Sequence, residues 1–160
     1  MGNNNIFISH HGKDDHHVQN LKTRLKSKGF GVKNFSIDST KHHNGRRPSD
    51  ARIRRLLKIR IKAASTFICL IGKETHKRKW VDYEIRRAQQ EGKKIIGIYT
   101  HGNKNEVSTP LALQQYANSI LGWNSIDKLG EIITGKTTVF ENADGSSYSN
   151  VYSISRVKCK

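Results

Sequence analysis

Among the residues of this 160-residue chain, Glu84 is the one whose type and setting most readily do chemistry. It lies in the stretch Lys79-Trp80-Val81-Asp82-Tyr83-Glu84-Ile85, which follows a charged loop and opens a helical pattern. If Trp80 and Glu84 are both helical, their i,i+4 spacing sets indole and carboxylate side by side. A carboxylate fixed in a site shielded from water stabilises positive charge developing on a bound substrate, an effect on the order of a hundredfold or more in rate for one well-placed group. The same position also suits a carboxylate with no function. In the first turn of a helix the macrodipole stabilises an acidic residue by roughly 0.3–1 kcal/mol, and a Trp there can simply pack. The residues by themselves leave both readings open.

Other polar clusters are weaker candidates. Ser9, His10 and His11 follow a short apolar run, where polar residues commonly end a strand. Asn34, Phe35, Ser36 and Asp38 close a second such run, and turn formation accounts for them as readily as ligand contact. The pairs His10-His11, His16-His17 and His42-His43 invite a metal proposal, but adjacent side chains diverge and no Cys or carboxylate recurs at ligand spacing. Asp14-Asp15 and Asp82 with Glu84 suggest a metal-dependent nuclease only faintly, because positions i and i+2 of a helix point apart. No G-x-G-x-x-G follows any strand, which disfavours redox use of a dinucleotide.

The elements that must position these residues alternate. Ile6-Phe7-Ile8 reads as a strand, and Val18, Leu21 and Leu25 as a helix stopped by Gly29. Phe30, Val32 and Phe35 suggest a second strand before a polar loop from Ser36 to Ser49. From Asp50, the residues Ile53, Leu57, Ile61 and Ala64 form one buried stripe on a helix otherwise filled with Arg and Lys. Thr66 to Ile71, ending at Gly72, is apolar on both faces, as a central parallel strand covered by helices must be. A helix from about Trp80 to Glu91, closed by Gly92, leads into a second such strand, Ile95 to Tyr99. This order, βαβαβαβ, predicts a parallel sheet whose ligands bind beyond the carboxyl ends of its strands, in the loops after Ile8, Phe35, Ile71 and Tyr99. Further on, Leu111 to Leu121 reads as helix, Ile126 to Ile133 as another short helix, and Thr137 to Phe140 as a strand. The Gly-, Ser- and Asn-rich segment from Glu141 to Asn150 is expected to be a mobile loop or tail.

Composition narrows the class. With 34% hydrophobic residues, the length suits one core rather than two. A formal net charge of +16 draws phosphates, nucleic acid or acidic surfaces toward the chain. The basic helix from Arg52 to Lys62 is the best nucleic-acid candidate, but its cations run round every side except the buried stripe and no aromatic platform interleaves them. A solvated face explains it better, and nucleic acid is not the expected partner. Cys69 and Cys159 make no disulfide framework, which suits a reducing compartment. There is no apolar leader, Ile6 stands where a myristoylation signal wants Ser or Thr, and no run reaches the roughly 18 apolar residues of a membrane span. The expectation is a cytoplasmic protein with no membrane partner.

Three segments together carry a family resemblance: Cys69-Leu70-Ile71-Gly72-Lys73-Glu74-Thr75, the Lys79 to Ile85 stretch, and Gly92-Lys93-Lys94-Ile95-Ile96-Gly97-Ile98. With the opening Ile6-Phe7-Ile8-Ser9-His10-His11 at the right separation, they resemble the TIR-like domain of the Thoeris antiviral defence system. The resemblance covers about the first hundred residues. It implies an α/β, flavodoxin-like three-layer TIR-type fold with a central parallel sheet: a single domain over 1–160, its recognisable core 1–101, with C-terminal helices and an extension in 102–160. It further implies an NAD glycohydrolase or ADP-ribosyl cyclase, which cleaves the nicotinamide–ribose bond and makes an ADP-ribose-derived, cyclic signal for a separate effector protein. NAD enters as substrate, so no cofactor is implied, and TIR-like domains commonly self-associate before acting.

Carried residue by residue, the resemblance makes Glu84 catalytic. It places Ser9, His10 and His11 at the ribose or nicotinamide, Asn34, Ser36 and Asp38 toward the adenine or pyrophosphate, and Trp80 and Tyr83 as an aromatic lid. Glu84 is then expected to face a cleft shared with Ser9, His10 and Trp80. The chain departs from the pattern at Arg78, where many TIR domains carry a small polar residue, and in the loop from Ser36 to Pro48, which lacks the Asp-Arg-Gly type of sequence seen in receptor TIR domains. The other readings are a non-enzymatic TIR-like module that binds partners or a nucleotide, and a basic nucleic-acid-binding protein on a flavodoxin-like scaffold.

Overall fold

The computed structural model describes residues 5–11, 15–35, 46, 48–100 and 107–149. The strands are β1 (Asn5–Ser9), β2 (Gly31–Phe35), β3 (Thr66–Ile71), β4 (Lys94–Tyr99) and β5 (Ser119–Leu121), and the helices α1 (Asp15–Ser27), α2 (Asp50–Ala63), α3 (Val81–Gln90), α4 (Leu111–Tyr116) and α5 (Leu129–Ile133). All four strand pairings are parallel, in the order β2-β1-β3-β4-β5. This is the flavodoxin-like order, whose switch point lies between β1 and β3. Ser9, the last residue of β1, pairs with Cys69 of β3 at that point.

The pleat sorts the strand residues into two cores. Phe7, Phe67, Cys69, Ile71, Ile95, Tyr99 and Ile120 pack on one side with α2, α3 and α4, while Ile6, Ile8, Ile68, Leu70, Ile96, Ile98 and Leu121 pack on the other with α1 and α5. Alternating faces that are both apolar require helices above and below, which gives the three layers. Each helix supplies its stripe, as with Ile53, Leu57 and Ile61 of α2. Gly97 permits the closest approach: a Cβ there would lie 2.8 Å from Leu113 Cδ2 and 3.2 Å from Ile71 Cδ1. Phe7 and Phe67, neighbours in β1 and β3, stack with centroids 5.4 Å apart.

Local signals set the ends of the helices around the site. Ser49 caps α2 by accepting the Arg52 N–H at 3.2 Å. After α3, Gly92 takes φ +68°, with its N–H on the Gln89 carbonyl and the Lys93 N–H on the Ala88 carbonyl. That is the left-handed stop a glycine allows.

The second half departs from these expectations. The helix read over Leu111 to Leu121 ends at Tyr116, because Ala117 turns extended, and Ser119–Leu121 becomes β5. The fifth strand of the sheet therefore comes from a segment read as helix. The strand expected to end at Phe140 is reduced to a bridge between Phe140 and Ile120. The segment after Glu141, read as a mobile loop or tail, makes a hydrogen-bonded turn in which Tyr148 N–H reaches the Phe140 carbonyl at 3.0 Å. Glu141 holds it by accepting the Gly122 N–H and the Ser125 hydroxyl, each at 2.9 Å. Asn150 and the residues after it, including Cys159, lie outside the described residues; Cys69 is buried in β3.

Candidate active site

Between β3 and α3 the chain must leave the sheet edge and turn back. Gly72 to Trp80 does so through a single 3-10 turn, Thr75–Lys77. The buried Thr75 hydroxyl fixes the loop by accepting the Gly72 N–H at 2.8 Å and donating to the Leu70 carbonyl at 3.2 Å. With three residues per turn, Thr75 and Arg78 leave the backbone on the same side. Lys77 and Lys79 are exposed, whereas the Arg78 side chain is 12% exposed and turns inward.

There its guanidinium spans two elements. Nη1 donates to the Ser9 hydroxyl at 2.9 Å, and Nη2 forms an ion pair with Glu84 Oε1. Ser9 and Glu84 are both 0% exposed. The Arg fork thus ties the carboxyl end of β1 to the first turn of α3 at the switch point of the sheet, the place where ligands bind in folds of this order. Glu84 is also fixed by its backbone, whose N–H donates to the Trp80 carbonyl at 2.9 Å.

The aromatic pair behaves differently from a lid over the carboxylate. Trp80 is buried in the core formed with α2, α3 and α4. Its ring meets Tyr83 edge to face, with centroids 5.6 Å apart, under the Lys79 ammonium at 5.3 Å. The Trp80 Nε1–H is buried and has no hydrogen-bond partner among the described residues. Trp80 and Tyr83 line a cavity of about 380 Å³ between α2 and α3, together with Asp50, Arg54, Arg86 and Gln90. Ser9, His10 and Glu84 are not in its lining.

The structure therefore brings Ser9 and Glu84 together through Arg78, but encloses the carboxylate where an open cleft shared with His10 and Trp80 was expected. His10 and His11 are half-buried just beyond Ser9. Asn34 lies in β2, paired with Phe7. Ser36 and Asp38 lie outside the described residues. No group of three or more metal-ligating side chains occurs among the described residues. Two residues that matter here were not read as site residues: Arg78, noted only as a departure from the family pattern, and Thr75, whose lone hydroxyl beside a strand end carries no signal of its own.

Residues 7–105 match the family described as Thoeris protein ThsB, TIR-like domain. The chain belongs to this ThsB TIR-like family. A curated relative of Bacillus cereus (strain MSX-D12), named "Putative cyclic ADP-D-ribose synthase ThsB1", is 31% identical over 107 residues, which are 63% of this chain and 54% of the relative. The chain spans about half the length of that relative. Among solved structures, a conserved protein of Enterococcus faecalis V583 superposes with a TM-score of 0.52 at 12% identity, covering 88% of this chain and 82% of that one. The TIR domains of the activated Roq1 resistosome superpose with a TM-score of 0.42 at 17% identity, over 59% of this chain and 56% of that one. In this ThsB TIR-like chain, no helix among the described residues is long and apolar enough to cross a membrane.

Proposed function

We propose that the chain is a cytoplasmic NAD-consuming enzyme of antiviral defence, which cleaves the nicotinamide–ribose bond and makes an ADP-ribose-derived, cyclic signal for a separate effector. The observation that carries this reading is the Glu84 carboxylate, held at the β1/β3 switch point and tied through Arg78 to Ser9, inside the segment that matches the ThsB family. The curated relative's name supports the cyclic product.

The chemistry follows from the substrate. Nicotinamide in NAD is already a cationic leaving group. When the C1′–N bond breaks, its electron pair passes to the ring nitrogen and neutral nicotinamide departs. The barrier lies in the oxocarbenium charge left on the ribose, which a fixed carboxylate stabilises. Water, or a nucleophile within the ADP-ribose, then captures C1′ and gives up its proton. Cyclisation adds a proximity problem, since both ends of the ADP-ribose must be held together. NAD is the substrate throughout and no further cofactor is needed.

The test follows free nicotinamide from NAD mixed with purified protein, with and without crowding or self-association. Release above that of Glu84→Gln supports the enzyme; no excess under any of these conditions rejects it. The enclosure of Glu84 favours one second reading, a non-enzymatic TIR-like module, for which the same assay would stay flat while a partner or nucleotide still bound.

A further inference from the structure

A carboxylate that stabilises charge on a ribose must be reachable by that ribose. Glu84 is not: its side chain is 0% exposed, and the face toward the β1 end of the sheet is taken by the Arg78 guanidinium. Arg78 belongs to an otherwise exposed stretch, His76 to Lys79, pinned at one end by the Thr75 hydroxyl and at the other by buried Trp80. Between those pins Arg78 belongs to no strand or α-helix. The Ser9 hydroxyl at 2.9 Å and the Glu84 carboxylate are among its holds.

We propose that Arg78 is a latch, which in the resting protein closes the Glu84 carboxylate off from ligand and solvent and must swing away before Glu84 can meet a substrate. This rests on the reading of Glu84 as the catalytic carboxylate. A charge-assisted fork in a water-poor site is the right device, because such bonds are about twice as strong as neutral ones and yet yield to any anion that competes for the guanidinium. Ser9 sets the closed position. An Arg anchored only by Glu84 could follow the carboxylate outward, whereas an Arg also anchored on β1 holds it under the sheet edge.

Carboxyl footprinting of the full chain, with a carbodiimide and glycine ethyl ester and a peptide-level mass readout, tests the latch without any reference to NAD. In the wild type, Glu84 is expected to stay unlabelled while Asp82, whose side chain is 58% exposed on the same helix, is labelled. Arg78→Gln should raise Glu84 labelling roughly tenfold or more, with Asp82 unchanged and the far-UV circular dichroism retained. If Arg78→Gln fails to fold, Ser9→Ala carries the test, since it removes one hold and leaves the ion pair; Glu84 labelling should then rise several-fold. Wild-type Glu84 labelled as fast as in these variants overturns the latch.

Nicotinamide release by the same proteins separates this inference from the functional one. Faster release by Arg78→Gln than by wild type, abolished by adding Glu84→Gln, supports both. Turnover by the wild type with no gain in Arg78→Gln overturns the latch and leaves the enzyme standing. Glu84 unmasked in Arg78→Gln with no nicotinamide from any variant rejects the NAD reading and leaves the latch.

Discussion

Replacing Arg78 by Met and Glu84 by Leu, singly and together, should produce a strongly non-additive stability cycle. Glu84 is fully buried and Arg78 nearly so, so removing either partner takes the opposite charge from beside a group held away from water. Breaking a buried pair from one side costs about 3–5 kcal/mol, most of it the penalty of the uncompensated charge. Arg78→Met also forfeits the bond to Ser9, a further contribution of about 1.5 kcal/mol or more for a charged donor. For a chain of this size Glu84→Leu should lower the melting midpoint by roughly 6–20 °C, and Arg78→Met by more. The double variant removes both charges of the pair and fills the same space with apolar atoms, so it should lie within about 2 kcal/mol of wild type, on either side. Urea denaturation followed by circular dichroism measures all four proteins, provided the m-values agree. Single losses that simply add in the double variant would refute the claim that these two groups answer each other, and with it the account of the site.

Thr75→Val keeps shape but leaves the Gly72 N–H and the Leu70 carbonyl without the hydroxyl they use; urea titration should show a loss of about 1–3 kcal/mol, and Glu84 labelling should rise as the loop loosens. Gly97→Ala puts a Cβ against Leu113 and Ile71 and should cost about 1–3 kcal/mol, with part of the loss recovered when Leu113→Ala is added, as thermal melts of the three variants would show. Burial raises the Tyr99 hydroxyl above its ordinary value of 10.0, so the fold holds the neutral phenol more strongly than the unfolded chain does. That stability is fully present below about pH 10 and is lost as pH rises through the folded value, so Tyr99→Phe should flatten the alkaline fall in unfolding free energy over that range.

How much of this was readable from residues depended on whether a pattern or a single conformation decided the matter. The stripe Ile53, Leu57, Ile61 and Ala64 can be buried in only one way on a helix, and all four are buried. Thr66 to Ile71 and Ile95 to Tyr99 are apolar at consecutive positions, which only strands covered on both faces explain. Ser119–Leu121 offers three residues beside a leucine-rich helix, too short for a period of two to outweigh one of 3.6, so the helix reading ran through it. Glu84 was legible as a first-turn carboxylate. Its partner was not, because Arg78 stands in the cationic run His76-Lys77-Arg78-Lys79, and only the 3-10 turn at Thr75 decides which of the four faces inward. Trp80 was read for its spacing to Glu84, which is real along the backbone, but its ring joins the core and the α2–α3 cavity.

The choice of an ion pair at this position is itself informative. A buried Arg–Glu pair contributes little net stability compared with apolar residues of the same volume, because desolvation offsets most of the attraction. The neighbourhood could have used such residues: Ile8, Ile71 and Ile85 are all 0% exposed. An Arg held at 12% exposure between Ser9 and Glu84, at the edge of the sheet where a flavodoxin-like fold receives its ligand, therefore does not earn its place by packing. If the Arg78→Met, Glu84→Leu double variant proves as stable as wild type, the two charges serve something other than folding. That result is the one the Arg78 latch requires, since the pair would then cover and orient the Glu84 carboxylate without stabilising the fold.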